Sequence, residues 1–193
     1  MVDQGKSILL VGVGGQGIIR ASDMLSTVVM DAGYDVKKSE VHGMAQRGGC
    51  VSTHVRYAEK VYSPLSMKGS VDLLISFEKL ETLRYLDYLV PGGKIIINDE
   101  EIYPPSVNMG EGTYPSSVIE TVTGYFPDVT VVPASTLAEE AGDRRMTNSV
   151  MLGALSVHMS VDRAVWEGVL QRSFSGAMAH MNLTAFARGR NVQ

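Results

Sequence analysis

Short apolar runs that end at glycines alternate with segments of helical spacing along most of the chain. Residues 6–11 become continuously apolar from Ile8 onward and reach Gly12, which is typical of a central parallel strand buried on both faces. Between residues 15 and 32 the apolar side chains recur near helical spacing, and Gly33 is well placed to end that helix. The pattern therefore predicts a buried strand followed directly by a helix.

The same kind of pattern recurs downstream. It predicts further strands at residues 34–39, 50–57, 71–75, 94–98 and 129–132. It predicts helices at residues 80–89, 116–125, 135–141, 146–159, 161–174 and 176–187, the first of them ended by Pro91, Gly92 and Gly93. Residues 50–57 alternate between apolar and polar side chains, which predicts a strand with one wetter face at or near a sheet edge.

Strands that alternate with helices favour an α/β fold. We expect one domain over residues 1–193, a three-layer α/β/α sandwich with a Rossmann-like, mostly parallel sheet and an antiparallel edge strand. Right-handed crossovers would place the turn after the first strand at the carboxyl edge of this sheet.

That turn is the first glycine loop, residues 12–17, with the sequence Gly-Val-Gly-Gly-Gln-Gly. Its glycines allow a tight turn and let backbone N–H groups approach a phosphate at a helix N-terminus. The acidic residue that binds ribose in NAD proteins should follow about 20 residues later. Asp35 comes too early, so NAD binding, close helix–strand packing, and contact with an anion or a partner all remain open. The residues that shape this loop are Gly12, Gly14, Gly15, Gln16 and Gly17.

The second glycine loop, residues 40–49, reads Glu-Val-His-Gly-Met-Ala-Gln-Arg-Gly-Gly and follows the second predicted strand. An arginine between flexible residues has room to bind a phosphate or carboxylate through two hydrogen bonds. A solvated loop whose charges pair locally is the alternative. Candidate contact residues are Glu40, His42, Gln46, Arg47, Gly48 and Gly49.

Charge and cysteine content exclude several classes of protein. A net charge of −4 without a basic cluster argues against a nucleic-acid binder. The single cysteine, Cys50, excludes an internal disulfide and cannot by itself hold an iron–sulfur cluster, which needs about four thiolates. His42, Cys50 and His54 fit no common zinc spacing, so we expect no metal site and a buried Cys50. No apolar stretch approaches the roughly 20 residues of a membrane span, so we expect a cytoplasmic protein without membrane contact.

The two glycine loops together resemble the gamma-type subunits of 2-oxoacid:acceptor oxidoreductases, and most closely the small (beta) subunits of the indolepyruvate:ferredoxin type. The similarity extends over nearly the whole chain. It includes Thr147 and Asn148 at the start of a helix and the closing segment 185–190. The second glycine loop is its most specific part.

This resemblance implies a subunit of an enzyme that oxidatively decarboxylates a 2-oxo acid, forms acyl-coenzyme A and CO₂, and reduces ferredoxin. Thiamine diphosphate, Mg²⁺ and [4Fe-4S] clusters are then expected in a larger partner subunit, with coenzyme A as co-substrate. The small subunit is expected to bind no cofactor, to supply no catalytic residue, to meet ferredoxin only indirectly, and to form a homodimer when isolated. The second-loop residues and Asn148 would contact the partner or coenzyme A. Two alternatives stay open: a stand-alone Rossmann-type NAD(P) or flavin oxidoreductase, and a module that binds coenzyme A or another phosphate ligand.

Overall fold

A computed structural model describes residues 5–42, with His42 described by its backbone, and residues 49–192. The strands are β1 Lys6–Val13, β2 Asp35–His42, β3 Cys50–Ala58, β4 Val71–Ser76, β5 Leu89–Asn98 and β6 Val129–Val132. The helices are α1 Ile18–Asp31, α2 Lys79–Arg84, α3 Pro105–Asn108, α4 Val118–Tyr125, α5 Ala134–Glu140, α6 Thr147–Ser156, α7 Arg163–Ser173 and α8 Gly176–Arg190. Two 3₁₀ turns, Leu86–Tyr88 and Arg144–Met146, precede β5 and α6.

The strands form one six-stranded sheet in the order β2-β3-β1-β4-β5-β6. Strands β1, β4, β5 and β6 pair in parallel, whereas β3 pairs antiparallel with both β1 and β2. The edge strand β2 therefore has an antiparallel neighbour, and the predicted α/β sandwich with antiparallel pairing at one edge is confirmed. Strand β3, predicted at or near the edge, lies one position inside it.

Helices cover both faces of the sheet, because successive side chains of β1 point to opposite faces and are apolar on both. Ile8 and Leu10 point into a large core shared with α1, α5, α6, α7 and α8. Leu9 and Val11 point to the opposite face, where a smaller core includes Val118 and Val122 of α4. Because β1 is apolar on both faces, it forms the centre of a three-layer structure.

Two sequence predictions were wrong in their local detail. The helix predicted at residues 80–89 ends at Arg84, and Leu89 already pairs with Val71 of β4. Pro91, Gly92 and Gly93 do not follow a helix; they form an irregularity inside β5, where the pairing register with β4 shifts. A short apolar helix and a buried strand have similar composition, so their boundary depends on the strand pairing.

The polar face of β3 is also more buried than its alternation of apolar and polar residues predicted. Ser52 and His54 are buried, because the segment between β3 and β4 folds back over this face. The backbone N–H of Ser66 donates a 3.3 Å hydrogen bond to His54 Nδ1, and the Tyr88 ring packs edge-on against the imidazole at 5.8 Å. Burial lowers the pKa of His54, so this imidazole is neutral at pH 7 and serves as a packed acceptor.

Within residues 5–42 and 49–192, no helix has both the length and the apolarity needed to cross a bilayer.

Candidate functional site

Gln16 holds the first glycine loop together by turning its side chain back into the loop. Its Oε1 accepts a 2.8 Å hydrogen bond from the Val13 N–H, and its Nε2 donates a 2.7 Å bond to the Phe77 carbonyl. The end of β1 is thereby joined to the residue that follows β4. Gln16 thus satisfies backbone groups at a point where two neighbouring parallel strands both end.

Two of the loop glycines are required by close packing. A Cβ on Gly12 would lie 2.6 Å from Gln16 Oε1 and 2.9 Å from the Phe77 side chain. Gly17 has a φ of +77°, and its Cβ would lie 2.4 Å from Asn148 Nδ2. Gly15, with a φ of +105°, faces open space instead. The loop therefore combines packed positions with one exposed backbone position.

The first glycine loop is also tied to two distant segments of the chain. Asn148 Nδ2, at the start of α6, donates a 3.0 Å hydrogen bond to the Gly17 carbonyl. The Gly14 N–H donates a 2.8 Å bond to the carbonyl of Gly49, directly before β3. The start of α6 and the residue before β3 thus meet the loop at the carboxyl end of β1.

An open cleft of about 590 Å³ lies over this end of the sheet. Its lining residues include Gly15 at the approach to α1, three arginines (Arg20, Arg144 and Arg145), and the carboxylate of Glu100. Helix α1 begins here without a side-chain cap or an acidic residue in its first turn. An uncapped helix N-terminus beside arginines is a favourable environment for an anion.

The charges in the cleft differ in how far they are already neutralised. Glu100 accepts hydrogen bonds from Arg144 Nη2 at 2.8 Å, from Ser135 Oγ at 3.1 Å and from Asn98 Nδ2 at 3.0 Å. Arg145 pairs with Asp143 at 2.6 Å. Arg20 lies over the Phe174 ring at 4.7 Å, and no carboxylate of the described residues forms an ion pair with it. Arg20 is therefore the cleft arginine most available to a ligand.

The second glycine loop begins later than predicted. Strand β2 continues through Glu40 and Val41 to His42, because these residues pair with β3 in register. Glu40 Oε1 forms a 2.5 Å ion pair with Nζ of Lys38 in the same strand. Gln46, Arg47, Gly48 and the side chain of His42 lie outside the described residues, and their proposed contacts stay predictions, as do those of Glu40, Gly49 and Asn148.

Cys50 is half-buried rather than fully buried, and its thiol lies 3.0 Å from the Tyr85 hydroxyl. Burial, reinforced by the nearby Glu81 carboxylate, raises the pKa of the thiol to about 11. In the part of the chain that the structure describes, no three His, Cys, Asp or Glu side chains are grouped as metal ligands would be. A thiol held neutral in this way is a poor metal ligand, since the thiolate is the form that binds metals.

The position of β3 bears on the nicotinamide alternative. In NAD-binding Rossmann folds the strand that carries the ribose-binding acid neighbours the glycine-loop strand. Here β3 separates β2 from β1, so the end of β2 is two strand spacings, roughly 10 Å, from the loop. Glu40 is further engaged by Lys38. The geometry therefore lacks the acidic partner of that fingerprint.

The fold and the site together define an α/β subunit with an open, arginine-lined carboxyl edge. Residues 7–192 match the family model described as pyruvate ferredoxin/flavodoxin oxidoreductase, and the chain belongs to this family. Among curated proteins it is 43% identical over 156 residues to the indolepyruvate oxidoreductase subunit IorB of Thermococcus kodakarensis, covering 78% of this chain and 76% of that protein. It is 37% identical over 189 residues to the protein of the same name from Archaeoglobus fulgidus, covering 96% and 94%.

Solved structures support the same fold. The pyruvate oxidoreductase subunit PORC of Thermotoga maritima aligns with a TM-score of 0.75 at 21% identity, covering 98% of this chain and 97% of that one. A 2-oxoglutarate:ferredoxin oxidoreductase from Magnetococcus marinus, solved with 2-oxoglutarate, coenzyme A and succinyl-coenzyme A, gives the same score at 23% identity over 97% of this chain and 31% of that one. The predicted membership among the small subunits of oxoacid:ferredoxin oxidoreductases is confirmed.

Sequence reasoning missed Arg20, Glu100 and Arg144 as parts of the site. Arg20 follows Gly17 within the first turn of α1, and this nearness to the glycine loop was a usable signal. Glu100 and Arg144 come from the end of β5 and from the 3₁₀ turn before α6. No spacing in the sequence connects those two residues with the loop.

Proposed function

We propose that this chain is the small, cofactor-free subunit of an indolepyruvate (arylpyruvate) ferredoxin oxidoreductase. The complex would decarboxylate a 2-oxo acid oxidatively, transfer the acyl group to coenzyme A, release CO₂, and pass two electrons to ferredoxin. Relatives of 37–43% identity that are named indolepyruvate oxidoreductase subunits carry this proposal. We further propose that residues 1–193 form one domain of this type and act in the cytoplasm.

The residues of this chain do not fit an iron–sulfur cluster. The sequence has one cysteine, and its thiol is half-buried, hydrogen-bonded to Tyr85 and held neutral. Such clusters are held by about four thiolates. The clusters, together with thiamine diphosphate and Mg²⁺, are therefore assigned to a larger partner subunit, which would also bind ferredoxin.

The cleft over the sheet edge fits part of coenzyme A better than it fits a catalytic site. Coenzyme A carries phosphate groups, and the cleft offers an uncapped helix N-terminus next to Arg20. The 2-oxoglutarate:ferredoxin oxidoreductase was solved with coenzyme A bound, which supports coenzyme A as a co-substrate of this type of enzyme. In this proposal Arg20 binds a phosphate directly, and the Gln16 and Asn148 hydrogen bonds keep the loop in place.

Purification from the native host under anaerobic conditions tests the proposal. We expect this chain to co-purify with a larger, brown, thiamine-containing subunit, and the complex to reduce a viologen dye only when an arylpyruvate and coenzyme A are both present. A chain that purifies alone would contradict the proposal. Faster turnover with pyruvate or 2-oxoglutarate would contradict the assigned substrate class but not the assignment as a subunit.

The two alternatives are separated by ligand binding to the isolated chain. Titration with NAD(H), or a flavin spectrum, would indicate a stand-alone oxidoreductase. Calorimetry that detects coenzyme A binding to this chain in the absence of any larger subunit would favour a binding module. Our proposal instead expects weak or undetectable binding of coenzyme A until the larger subunit completes the site.

A further inference from the structure

A second, smaller pocket lies at the same sheet edge, on the face of the sheet that α2 covers. It has a volume of about 140 Å³, roughly the space of four water molecules. Val13, Leu80, Ile102 and Pro104 contribute apolar walls, and Glu81 of α2 contributes a carboxylate. Val13 and Ile102 also line the large cleft, so the two cavities adjoin.

The carboxylate of Glu81 is unusual because it is buried yet, in the described part of the chain, lacks a strong donor on one of its two oxygens. The residue is 6% exposed. One oxygen, Oε1, pairs with Arg84 Nε at 3.1 Å. Among the described residues, no nitrogen or oxygen donor reaches the other oxygen, Oε2. A buried carboxylate oxygen without a donor is costly, so a ligand that supplies one is favoured.

Of the described residues that line the pocket, one carries a cationic group, the Arg84 guanidinium, and its Nε pairs with Oε1 of Glu81 rather than with Oε2. The Cys50 thiol also lines the pocket and hydrogen-bonds to the Glu81 carboxylate, but a thiol is a weak donor. Burial raises the pKa of the Tyr85 hydroxyl, its hydrogen-bond partner, to about 12, so this phenol also stays neutral at pH 7. As far as the structure describes the chain, the pocket therefore presents one carboxylate oxygen without a strong donor beside apolar walls, while Arg84 occupies the other oxygen. This arrangement suits an aliphatic stem that ends in a cation.

We propose that this pocket receives a lysine side chain of the larger subunit, with its ammonium on Glu81 Oε2. A lysine fits better than an arginine, because Arg84 already occupies Oε1 and a guanidinium fork would need both oxygens. A protein partner fits better than a free amine, because exposed Tyr103 lines the pocket and exposed Met109 follows along the same segment. A docking subunit would cover this apolar surface. The inference rests on the proposed function, which supplies the larger subunit.

The test compares assembly of the purified larger subunit with the wild-type chain and with Glu81→Gln. We expect the wild-type chain to bind, and Glu81→Gln to bind roughly tenfold more weakly, with a smaller dependence on salt. Asp87→Asn is the matched control, because it removes the same charge from an exposed residue that pairs with Lys68. This control should bind like the wild-type chain.

Lysine methylation of the assembled complexes, read by mass spectrometry, gives a second measurement. At saturating concentration, one lysine of the larger subunit should be protected in the wild-type complex and reactive in the Glu81→Gln complex. Should Glu81→Gln fail to fold, Leu80→Trp narrows the pocket while retaining the carboxylate and should weaken binding in the same way. Unchanged affinity in the folded variants, or no lysine with this behaviour, overturns the inference and leaves the proposed function intact. Failure of the wild-type chain to bind overturns both.

Discussion

Gly189 of α8 lies against the Val150 carbonyl of α6, so close that a Cβ on the glycine would be 1.9 Å from the oxygen. Gly153 makes the reciprocal approach, with a would-be Cβ 2.1 Å from the Phe186 carbonyl. The two helices therefore touch through their backbones, and each glycine is required by the other helix.

We expect Gly189→Ala to destabilise the chain by about 2–3 kcal/mol, because the helices must separate to admit the methyl group. Chemical denaturation measures this change. Gly168→Ala in α7 is the control, because its Cβ would lie 3.9 Å from its nearest neighbouring atom, Nη1 of Arg172. This substitution should stabilise the chain by about 0.5–1 kcal/mol through helix propensity. Equal effects of the two substitutions would argue against backbone contact at the crossing.

Replacement of Gln16 should loosen the first glycine loop without changing the fold. Gln16→Ala leaves the Val13 N–H without its acceptor and removes one of two donors to the Phe77 carbonyl, the other being Asn98. We expect a loss of about 1–3 kcal/mol in the free energy of unfolding. Gln171→Ala, at an exposed position of α7, should stay within about 0.5 kcal/mol of the wild type. A Gln16→Ala chain of unchanged stability would show that water replaces both bonds.

Cys50 should react slowly with alkylating reagents at ordinary pH. Its folded-state pKa of about 11 lies above the usual thiol value, so the thiolate fraction at pH 8 is reduced by on the order of a hundredfold. The rate of iodoacetamide labelling should rise until the pH passes about 11, whereas the denatured chain should reach its plateau near pH 9. A raised pKa also means that the neutral thiol favours the folded state, and that this contribution is lost as the pH rises from about 9 through 11. Labelling with a midpoint near 8.5 in the folded chain would contradict this environment.

Arg20→Ala should weaken the use of coenzyme A by the assembled enzyme. Loss of one charge-assisted bond to a phosphate is expected to raise the KM for coenzyme A about tenfold while leaving the KM for the 2-oxo acid unchanged. Arg163→Ala, which removes an exposed arginine paired with Glu167 on α7, is the control. A KM for coenzyme A that does not move in Arg20→Ala would place the phosphates elsewhere.

Arg47→Ala tests the second glycine loop, whose specific residues lie outside the described part of the chain. In the reconstituted complex we expect either weaker assembly or a higher requirement for coenzyme A. Native mass spectrometry and steady-state kinetics distinguish these two effects. Unchanged complex mass together with unchanged kinetics would remove Arg47 from the contact residues.

The sequence predicted the parts of the fold that depend on local pattern. Helix α8 was predicted at residues 176–187 and spans Gly176–Arg190. Strand β1 was predicted at residues 6–11 and spans Lys6–Val13. The sequence did not predict which strands lie beside β3, because strand order depends on contacts between residues far apart in the chain. The same limit explains the site. The first glycine loop is a contiguous motif. Glu100 and Arg144 come from two other segments of the chain and pair beside this loop only in the folded structure.

The direction of β3 decides how many connections open at one edge of the sheet. In an all-parallel sheet, the connections that enter the strands lie at one edge, and the connections that leave the strands lie at the opposite edge. Because β3 runs against β1, Cys50 at its start lies beside Val13 at the end of β1. Strand β2 ends at His42 opposite Val51 of β3, so the end of β2 and the start of β3 lie at the same edge of the sheet as the first glycine loop. Reversal of one strand therefore places the ends of β1 and β2 and the start of β3 at one edge of the sheet, next to the arginine-lined cleft.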